Sequence, residues 1–260
     1  MTDTLQNNFY SNALQNCLSQ QHSLMQMHQL SNHEKVWIRR AGSRNSIWGY
    51  RLLNLISHLT GIHLLTPVPN LGGLTAIEVE VRRLQALAEA DICVPRILAH
   101  QADAIMISNI GNRTLEKEWR KRKRYPKILL NRWQLGLEAI ADVHRKQQYL
   151  SETFARNMIY INEQQIGFID FEDDPASVLT LEQCQARDWL CYLHSGAVMM
   201  INYHVGKEAQ QLWHNMLKTQ PEFIYNAVQQ SLRKISWMRY FKASIWGKDT
   251  LKLAAMAQFI

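Results

Sequence analysis

Two short apolar runs in the second half of the chain constrain its fold most strongly. Residues 157–161 and 165–169 are apolar and are separated by the polar residues 162–164, a pattern that predicts a β-hairpin. Asn157 opens the first run and Asp170 follows the second. Because the two strands of a hairpin are antiparallel, we expect both side chains to lie at the same end of it.

A carboxylate five residues before Asn157 indicates which chemistry this end of the hairpin could support. Phosphoryl transfer depends on positioning, on metal ions that neutralise the phosphates, and on one carboxylate that orients the attacking hydroxyl. Mg²⁺ takes oxygen ligands, usually only one or two of them from the protein. We expect Asn157 and Asp170 to be these ligands and Glu152 to be the carboxylate. The spacing therefore predicts a site for Mg²⁺ and a triphosphate beside a hydroxyl.

This stretch resembles the catalytic and metal-binding loops of the protein-kinase-like superfamily. It is most similar to those of bacterial lipopolysaccharide-core (Kdo/heptose) kinases and related small kinase-like proteins. The family pattern is H-x-D-x-x-x-x-N, then a strand, then I-D-F. The resemblance implies a catalytic loop at residues 149–157 and a metal loop at 169–173, with ATP and Mg²⁺ as cofactors.

The resemblance extends to the first half of the chain. Glu80, on a predicted helix, matches the glutamate that forms an ion pair in the family, and Arg39 stands in register for its lysine partner. Arginine binds carboxylate and phosphate as a planar fork, so this replacement is not conservative. Residues 104–111 resemble the strand and hinge that hold adenine through backbone groups near Ser108 and Asn109.

Several features depart from the family pattern, although Asp188 matches the aspartate that braces the catalytic loop. Leu150 replaces the family's histidine and removes one polar brace, Glu152 replaces its aspartate, and Arg39 replaces its lysine. The first glycine of the chain is Gly42, so no glycine-rich phosphate loop precedes the Arg39 strand.

The resemblance implies an α+β, bilobal protein-kinase-like fold with a small β-rich N-lobe and a mostly helical C-lobe. Residues 1–20 are interpreted as a flexible arm or short helix, 21–110 as the N-lobe and 111–260 as the C-lobe. Apolar spacing predicts helices at 47–61, 128–145, 181–195, 208–218, 223–237 and 249–259.

Other polar residues receive structural interpretations. His144 is expected to cap or pack the predicted helix at 128–145. The acidic residues 172–174, which precede Pro175, are expected to form a solvated loop.

Composition predicts a cytoplasmic protein. The 260 residues are 47% hydrophobic, enough for a substantial core. The four cysteines lack C-x-x-C spacing, which argues against a zinc site or a disulfide scaffold. The N-terminus lacks the pattern of a signal peptide, and no run approaches the roughly 18 apolar residues of a membrane span.

The net charge of +7 is densest at the five consecutive cations Arg120–Arg124. This segment is interpreted as a solvated helix end or as a contact for an anionic glycolipid or membrane surface, which would place the protein at the inner face of the membrane. Motifs of nucleic-acid modules are missing, which argues against that partner. Residues 232–242 also combine cations with aromatic residues, a pattern that would suit an anionic membrane surface.

Two functions remain open. The first is an ATP- and Mg²⁺-dependent phosphotransferase that acts on a hydroxyl of a small molecule, an envelope sugar or a protein. The second is a catalytically weakened pseudokinase that binds a nucleotide or a partner for regulation. The metal ligands favour the first function; the departures and the missing glycine loop favour the second.

Overall fold

A computed structural model describes residues 2–43, 64, 72–241 and 247–260, which fold as an α+β structure. The predicted helix at 47–61 lies outside these residues. The α-helices of the described part are α1 (Thr2–Gln20), α2 (Gly73–Glu89), α3 (Leu115–Arg122), α4 (Pro126–Arg145), α5 (Leu181–Asn202), α6 (Gly206–Lys218), α7 (Glu222–Lys234) and α8 (Lys248–Met256). The strands are β1 (Met25–Gln29), β2 (Lys35–Arg40), β3 (Ile97–Gln101), β4 (Ala104–Ser108), β5 (Met158–Asn162) and β6 (Gln165–Phe168). Two 3₁₀ helices span Pro175–Ser177 and Ser236–Tyr240.

Four of the strands form one antiparallel sheet in the order β1-β2-β4-β3. Successive side chains of a strand point to opposite faces. Val36 and Ile38 are therefore directed to one face of β2, where both are fully buried, and Arg39 is directed to the other. This alternation places the guanidinium of Arg39 on the face of the sheet that α2 approaches.

Helix α1 covers the opposite face of the sheet. Tyr10 and Leu14, four residues apart, are buried in a cluster that includes Val36, Ile38 and Met106. The hydroxyl of Tyr10 also donates a hydrogen bond to Glu34 Oε2 at 2.7 Å. Of the two interpretations of this segment, a flexible arm or a short helix, the helix is the one found, and apolar residues at helical spacing give α1 a face to bury.

The main core lies around α4 and α5. Trp133 and Trp189 are fully buried there, and a Cβ atom at Gly196 would overlap the ring of Trp133, so the two helices need a glycine at this contact. Helix α5 begins with a capping box, in which Thr180 and Gln183 each bond to the other's backbone N–H. The helix starts where the sequence predicts, although it continues seven residues farther, to Asn202.

The remaining predicted helices correspond to α4, α6, α7 and α8. The predicted helix at 223–237 ends earlier, at Lys234, and the 3₁₀ helix Ser236–Tyr240 follows it. In the part of the chain that the structure describes, none of the helices combines the length and apolar character needed to cross a bilayer.

Candidate functional site

Strands β5 and β6 form the predicted hairpin. Met158 pairs with Phe168, and the N–H of Ile169 donates to the carbonyl oxygen of Asn157 at 3.0 Å. Asp170 follows directly, so the backbones of the two expected metal ligands leave the hairpin at one end. The side-chain Nδ2 of buried Asn157 donates to the carbonyl oxygen of Glu152 at 3.1 Å, which joins this end to the loop before it.

The backbone at Asp170 has a φ of 75°, in the left-handed region that non-glycine residues rarely adopt. Such a conformation costs about 1 kcal/mol and persists only where neighbouring contacts hold it. The next residue, Phe171, is 1% exposed and anchors the segment in the core. Asp170 and Glu172, on either side of Phe171, are 33% and 37% exposed.

Arg39 joins these two carboxylates to a third. Its Nε lies 2.9 Å from Glu80 Oε2, its Nη2 donates to Asp170 Oδ1 at 3.1 Å, and its Nη1 donates to Glu172 Oε2 at 2.5 Å. We call these four residues the Arg39 cluster. The pairing of Arg39 with Glu80 that the family resemblance implies is present. Glu172 forms an ion pair with Arg39, whereas we expected residues 172–174 to form a solvated loop.

The Arg39 cluster contains more negative than positive charge. One guanidinium faces three carboxylates, which leaves two negative charges in excess when all four groups are ionised. Burial raises the pKa of Glu80 to about 7, an effect that the charge on Arg39 opposes and the charges on Asp170 and Glu172 strengthen. The cluster therefore favours the arrival of a proton or of another cation.

Glu152 lies close enough to the Arg39 cluster to be influenced by it. Burial raises the pKa of Glu152, the charge on Arg156 opposes the rise, and the charge on Asp170 adds to it. Arg156 Nη2 donates to Glu152 Oε2 at 3.0 Å and is itself exposed. A carboxyl group with a raised pKa is suited to exchange a proton with a bound hydroxyl.

Asp188 holds the loop that carries Glu152. Its Oδ2 accepts a hydrogen bond from the backbone N–H of Leu150 at 2.8 Å, and its Oδ1 accepts one from the hydroxyl of Thr153 at 2.7 Å. His144 Nε2 lies 3.0 Å from Asp188 Oδ2. We call these four residues the Asp188 network.

The Asp188 network contains the contacts with the loop that we expected of Asp188, and it limits the effect of the one polar brace that Leu150 removes. The backbone of Leu150, which is independent of side-chain identity, makes one of the bonds to Asp188. His144 adds a polar contact from the end of α4, 44 residues away in sequence. Local pattern reasoning missed this contact and assigned His144 only to the helix.

The expected adenine-binding segment follows β4. Ser108 exchanges two hydrogen bonds with the backbone of Arg96, and Asn109 Oδ1 accepts from Trp37 Nε1 at 3.3 Å and from the N–H of Gly111 at 3.2 Å. A cleft of about 600 Å³ is bordered by Lys35, Arg96, Ser108 and Asn109, among others. Lys35, Trp37 and Arg39 alternate along β2 and share one face. At about 3.3 Å per residue, the Cα atoms of Lys35 and Arg39 are roughly 13 Å apart along the strand.

The donor groups suit an Mg²⁺ ion that phosphates and water also coordinate better than a metal ion that protein groups alone would hold. Among the described residues, no three His, Cys, Asp or Glu side chains are arranged to hold a metal ion. Asn157 and Asp170 would provide two oxygen ligands, the number that Mg²⁺ usually takes from a protein when phosphates and water complete its shell. The excess negative charge beside Asp170 agrees with such a cation.

Comparison with known proteins gives no independent assignment. No protein-family model and no curated protein matches this sequence. The function must be argued from the Arg39 cluster, the hairpin and the Asp188 network.

Proposed function

We propose that this protein is an ATP- and Mg²⁺-dependent phosphotransferase with a bilobal, protein-kinase-like fold. In this proposal the four-stranded sheet and α2 form the small lobe, and the helices after Gly111 form the large one. The acceptor is a hydroxyl of a small molecule, of an envelope sugar such as the lipopolysaccharide core, or of a protein. The observation that carries the proposal is the bridge that Arg39 makes between Glu80 and Asp170.

That bridge is informative because it joins distant parts of the sequence. Arg39 and Asp170 are 131 residues apart, yet one guanidinium contacts both Asp170 and a glutamate of α2. In kinases, the corresponding cation pairs with a helix glutamate and lies by the phosphates, near the metal-binding aspartate.

Each remaining residue has a role in the proposal. Asn157 and Asp170 would hold Mg²⁺, which neutralises phosphate charge when bound. Glu152 would orient the acceptor hydroxyl and take its proton. The cleft beside Ser108 and Asn109 would receive the base through backbone groups, on the same face of the sheet as Arg39.

One observation favours the alternative, a nucleotide- or partner-binding pseudokinase. All three nitrogens of the Arg39 guanidinium already contact carboxylates, and Glu152 is bonded to Arg156. A phosphate must therefore replace a carboxylate at Arg39, and a hydroxyl must compete with Arg156. The first step weakens nucleotide binding without preventing it, and the second weakens catalysis.

A thermal-shift titration with ATP and Mg²⁺ tests the shared part of both functions. A ligand that binds only the folded state stabilises it by about 2.7 kcal/mol at one hundred times its Kd. We expect this shift in the parent and its loss in Asp170→Asn, because asparagine keeps the volume and tolerates the left-handed conformation but lacks the charge. Asp249→Asn, at an exposed aspartate in α8, is the matched control. An equal shift in parent and Asp170→Asn would refute the metal-ligand assignment.

Release of the γ-phosphate of ATP separates the two functions. We expect slow turnover by the parent, and turnover below detection in Glu152→Gln with unchanged ATP affinity. Equal background turnover in both folded proteins, with ATP binding intact, would establish the binding-only alternative.

A further inference from the structure

Two aromatic side chains are exposed where α7 joins the 3₁₀ helix Ser236–Tyr240. Trp237 is 55% exposed and Tyr240 is 71% exposed, while Ile235 before them and Met238 between them are buried. Arg233, Lys234 and Arg239 are exposed beside them. We call Arg233, Lys234, Trp237, Arg239 and Tyr240 the C-terminal aromatic surface. Exposed clusters of this kind mark interaction sites.

Local bonds hold this surface in a defined conformation. Trp237 Nε1 donates to the carbonyl oxygen of Lys234 at 3.1 Å, and the ring of Trp237 lies edge-on to Phe241, with 5.4 Å between centroids. The N–H of Met238 donates to Ile235 at 2.8 Å, and that of Phe241 donates to Met238 at 2.9 Å. The aromatic rings are thus displayed by a hydrogen-bonded turn that is anchored in the core.

The charge within this segment has one sign. The sequence from residue 233 to 241 contains three cations and no carboxylate. In the basic segment Arg120–Arg124, carboxylates of the same helix lie close by: Arg120 forms an ion pair with Glu116 at 2.6 Å and Arg122 lies 3.9 Å from Glu118. Its charge is partly neutralised within its own helix, which supports the interpretation of that segment as a solvated helix end.

We infer that the C-terminal aromatic surface binds the headgroup region of an anionic phospholipid bilayer. Trp and Tyr favour the boundary between headgroups and acyl chains, and each cation near an anionic surface adds to the attraction. The indole N–H of Trp237 is already bonded to the backbone, so insertion of its ring leaves no donor unsatisfied. A nucleic acid would offer the same negative charge, but the sequence lacks the motifs of nucleic-acid modules. This inference is independent of the phosphotransferase proposal.

Co-sedimentation with vesicles tests the inference. The full chain is mixed with phosphatidylcholine vesicles that contain or lack 30% phosphatidylserine, at low and high salt. We expect binding only to the anionic vesicles, weakened by salt, and reduced about tenfold both in Trp237→Ala/Tyr240→Ala and in Arg233→Gln/Arg239→Gln. The tryptophan emission of the parent should shift to the blue on binding, and this shift should be reduced in Trp237→Phe.

The control pair Lys207→Gln/Lys218→Gln removes the same net charge from exposed positions of α6. Full binding by the control supports the surface, whereas an equal loss in the control would mean that net charge alone drives binding and would overturn the inference. Unreduced binding by the aromatic variant would also overturn it. Thermal unfolding verifies each fold, and Tyr240→Ala alone replaces the double variant if the latter unfolds.

Two other occupants have distinct signatures. Tighter binding of single-stranded RNA than of anionic vesicles, lost in the aromatic variant, would assign the surface to nucleic acid. A dimer detected by light scattering and lost in the same variant would assign it to a second copy of the chain. Either result overturns the lipid inference.

Discussion

The Asp188 network and the Arg39 cluster organise the same loop-and-hairpin region in opposite ways. In the network, one fully buried carboxylate is surrounded by polar partners from α4 and from the loop that carries Glu152. In the cluster, one mostly buried guanidinium is surrounded by three carboxylates, two of which are about one third exposed. The network uses both of its carboxylate oxygens, whereas the cluster keeps an excess of negative charge.

This difference indicates that the Asp188 network stabilises the fold, whereas the Arg39 cluster responds to protons and ligands. A buried group with all its partners in place contributes rigidity, and it has little to gain from a ligand. A cluster with surplus charge is stabilised by any proton or cation that arrives. We therefore expect changes in the Asp188 network to alter the free energy of unfolding, and changes in the Arg39 cluster to alter the response to pH and ligands.

The largest expected effect is that of Asp188→Ala. The substitution leaves the N–H of Leu150 and the hydroxyl of Thr153 buried without their acceptor, and we expect a loss of about 3–5 kcal/mol in the free energy of unfolding. Urea denaturation measures this loss. Asp249→Ala, at an exposed site, should change stability by no more than about 0.5 kcal/mol. A loss below about 1 kcal/mol at Asp188 would remove the distinction between the two regions.

Arg39→Lys should have the next largest effect. The family resemblance alone would predict tolerance, since lysine is the family's residue at this position. The geometry predicts a loss of about 1–3 kcal/mol, because an ammonium group cannot reproduce the fork that contacts three carboxylates. Arg96→Lys, at an arginine that is 74% exposed, is the matched control in the same denaturation experiment. Parent-like stability of Arg39→Lys would show that the three contacts are not cooperative.

Glu80→Gln tests whether the Arg39 cluster responds to pH. Because the pKa of Glu80 is raised to about 7 in the folded state, the folded chain binds more protons than the unfolded chain between about pH 4.5 and 7. The contribution of Glu80 to the free energy of unfolding is present at low pH and is lost as pH rises to about 7. The expected loss is on the order of 2 kcal/mol. Glu80→Gln should lack this slope when unfolding is measured from pH 4.5 to 7.5. An identical slope in both proteins would place the titration elsewhere.

Glu172→Gln should have the smallest effect on stability, within about 0.5 kcal/mol, because Glu172 is partly exposed. The expected effect of Glu172→Gln on the affinity for Mg²⁺-ATP rests on the proposed function. Removal of one carboxylate from Arg39 Nη1 should raise the affinity for Mg²⁺-ATP severalfold in a calorimetric titration. Glu222→Gln, at an exposed glutamate of α7, is the control. Weaker binding in Glu172→Gln would instead identify Glu172 as a further metal ligand.

Local patterns were sufficient to predict the helices of the second half and the β5–β6 hairpin. The apolar runs, the polar turn and the start of α5 are all features of neighbouring residues, which a sequence displays directly. Prediction of the pairing of Arg39 with Glu80 required the register of a strand and a helix. Local patterns do not give this register, and the family resemblance supplied it.

Non-local contacts explain what the sequence did not predict. His144 reaches Asp188 across 44 residues, and Glu172 reaches Arg39 across 133. One signal for Glu172 was nevertheless present, because it lies only two residues after Asp170 in the sequence. The role of α1 was underestimated for another reason: its sequence is rich in Gln and Asn, and two buried residues suffice to attach it to the sheet.

The attachment of α1 has a consequence for the order of events during synthesis. One of the partners of Tyr10 and Leu14, Met106, is added to the chain about ninety residues after them. At typical elongation rates this interval lasts roughly 5 to 20 seconds. During that time the apolar side chains of α1 lack part of the sheet surface that buries them in the folded chain.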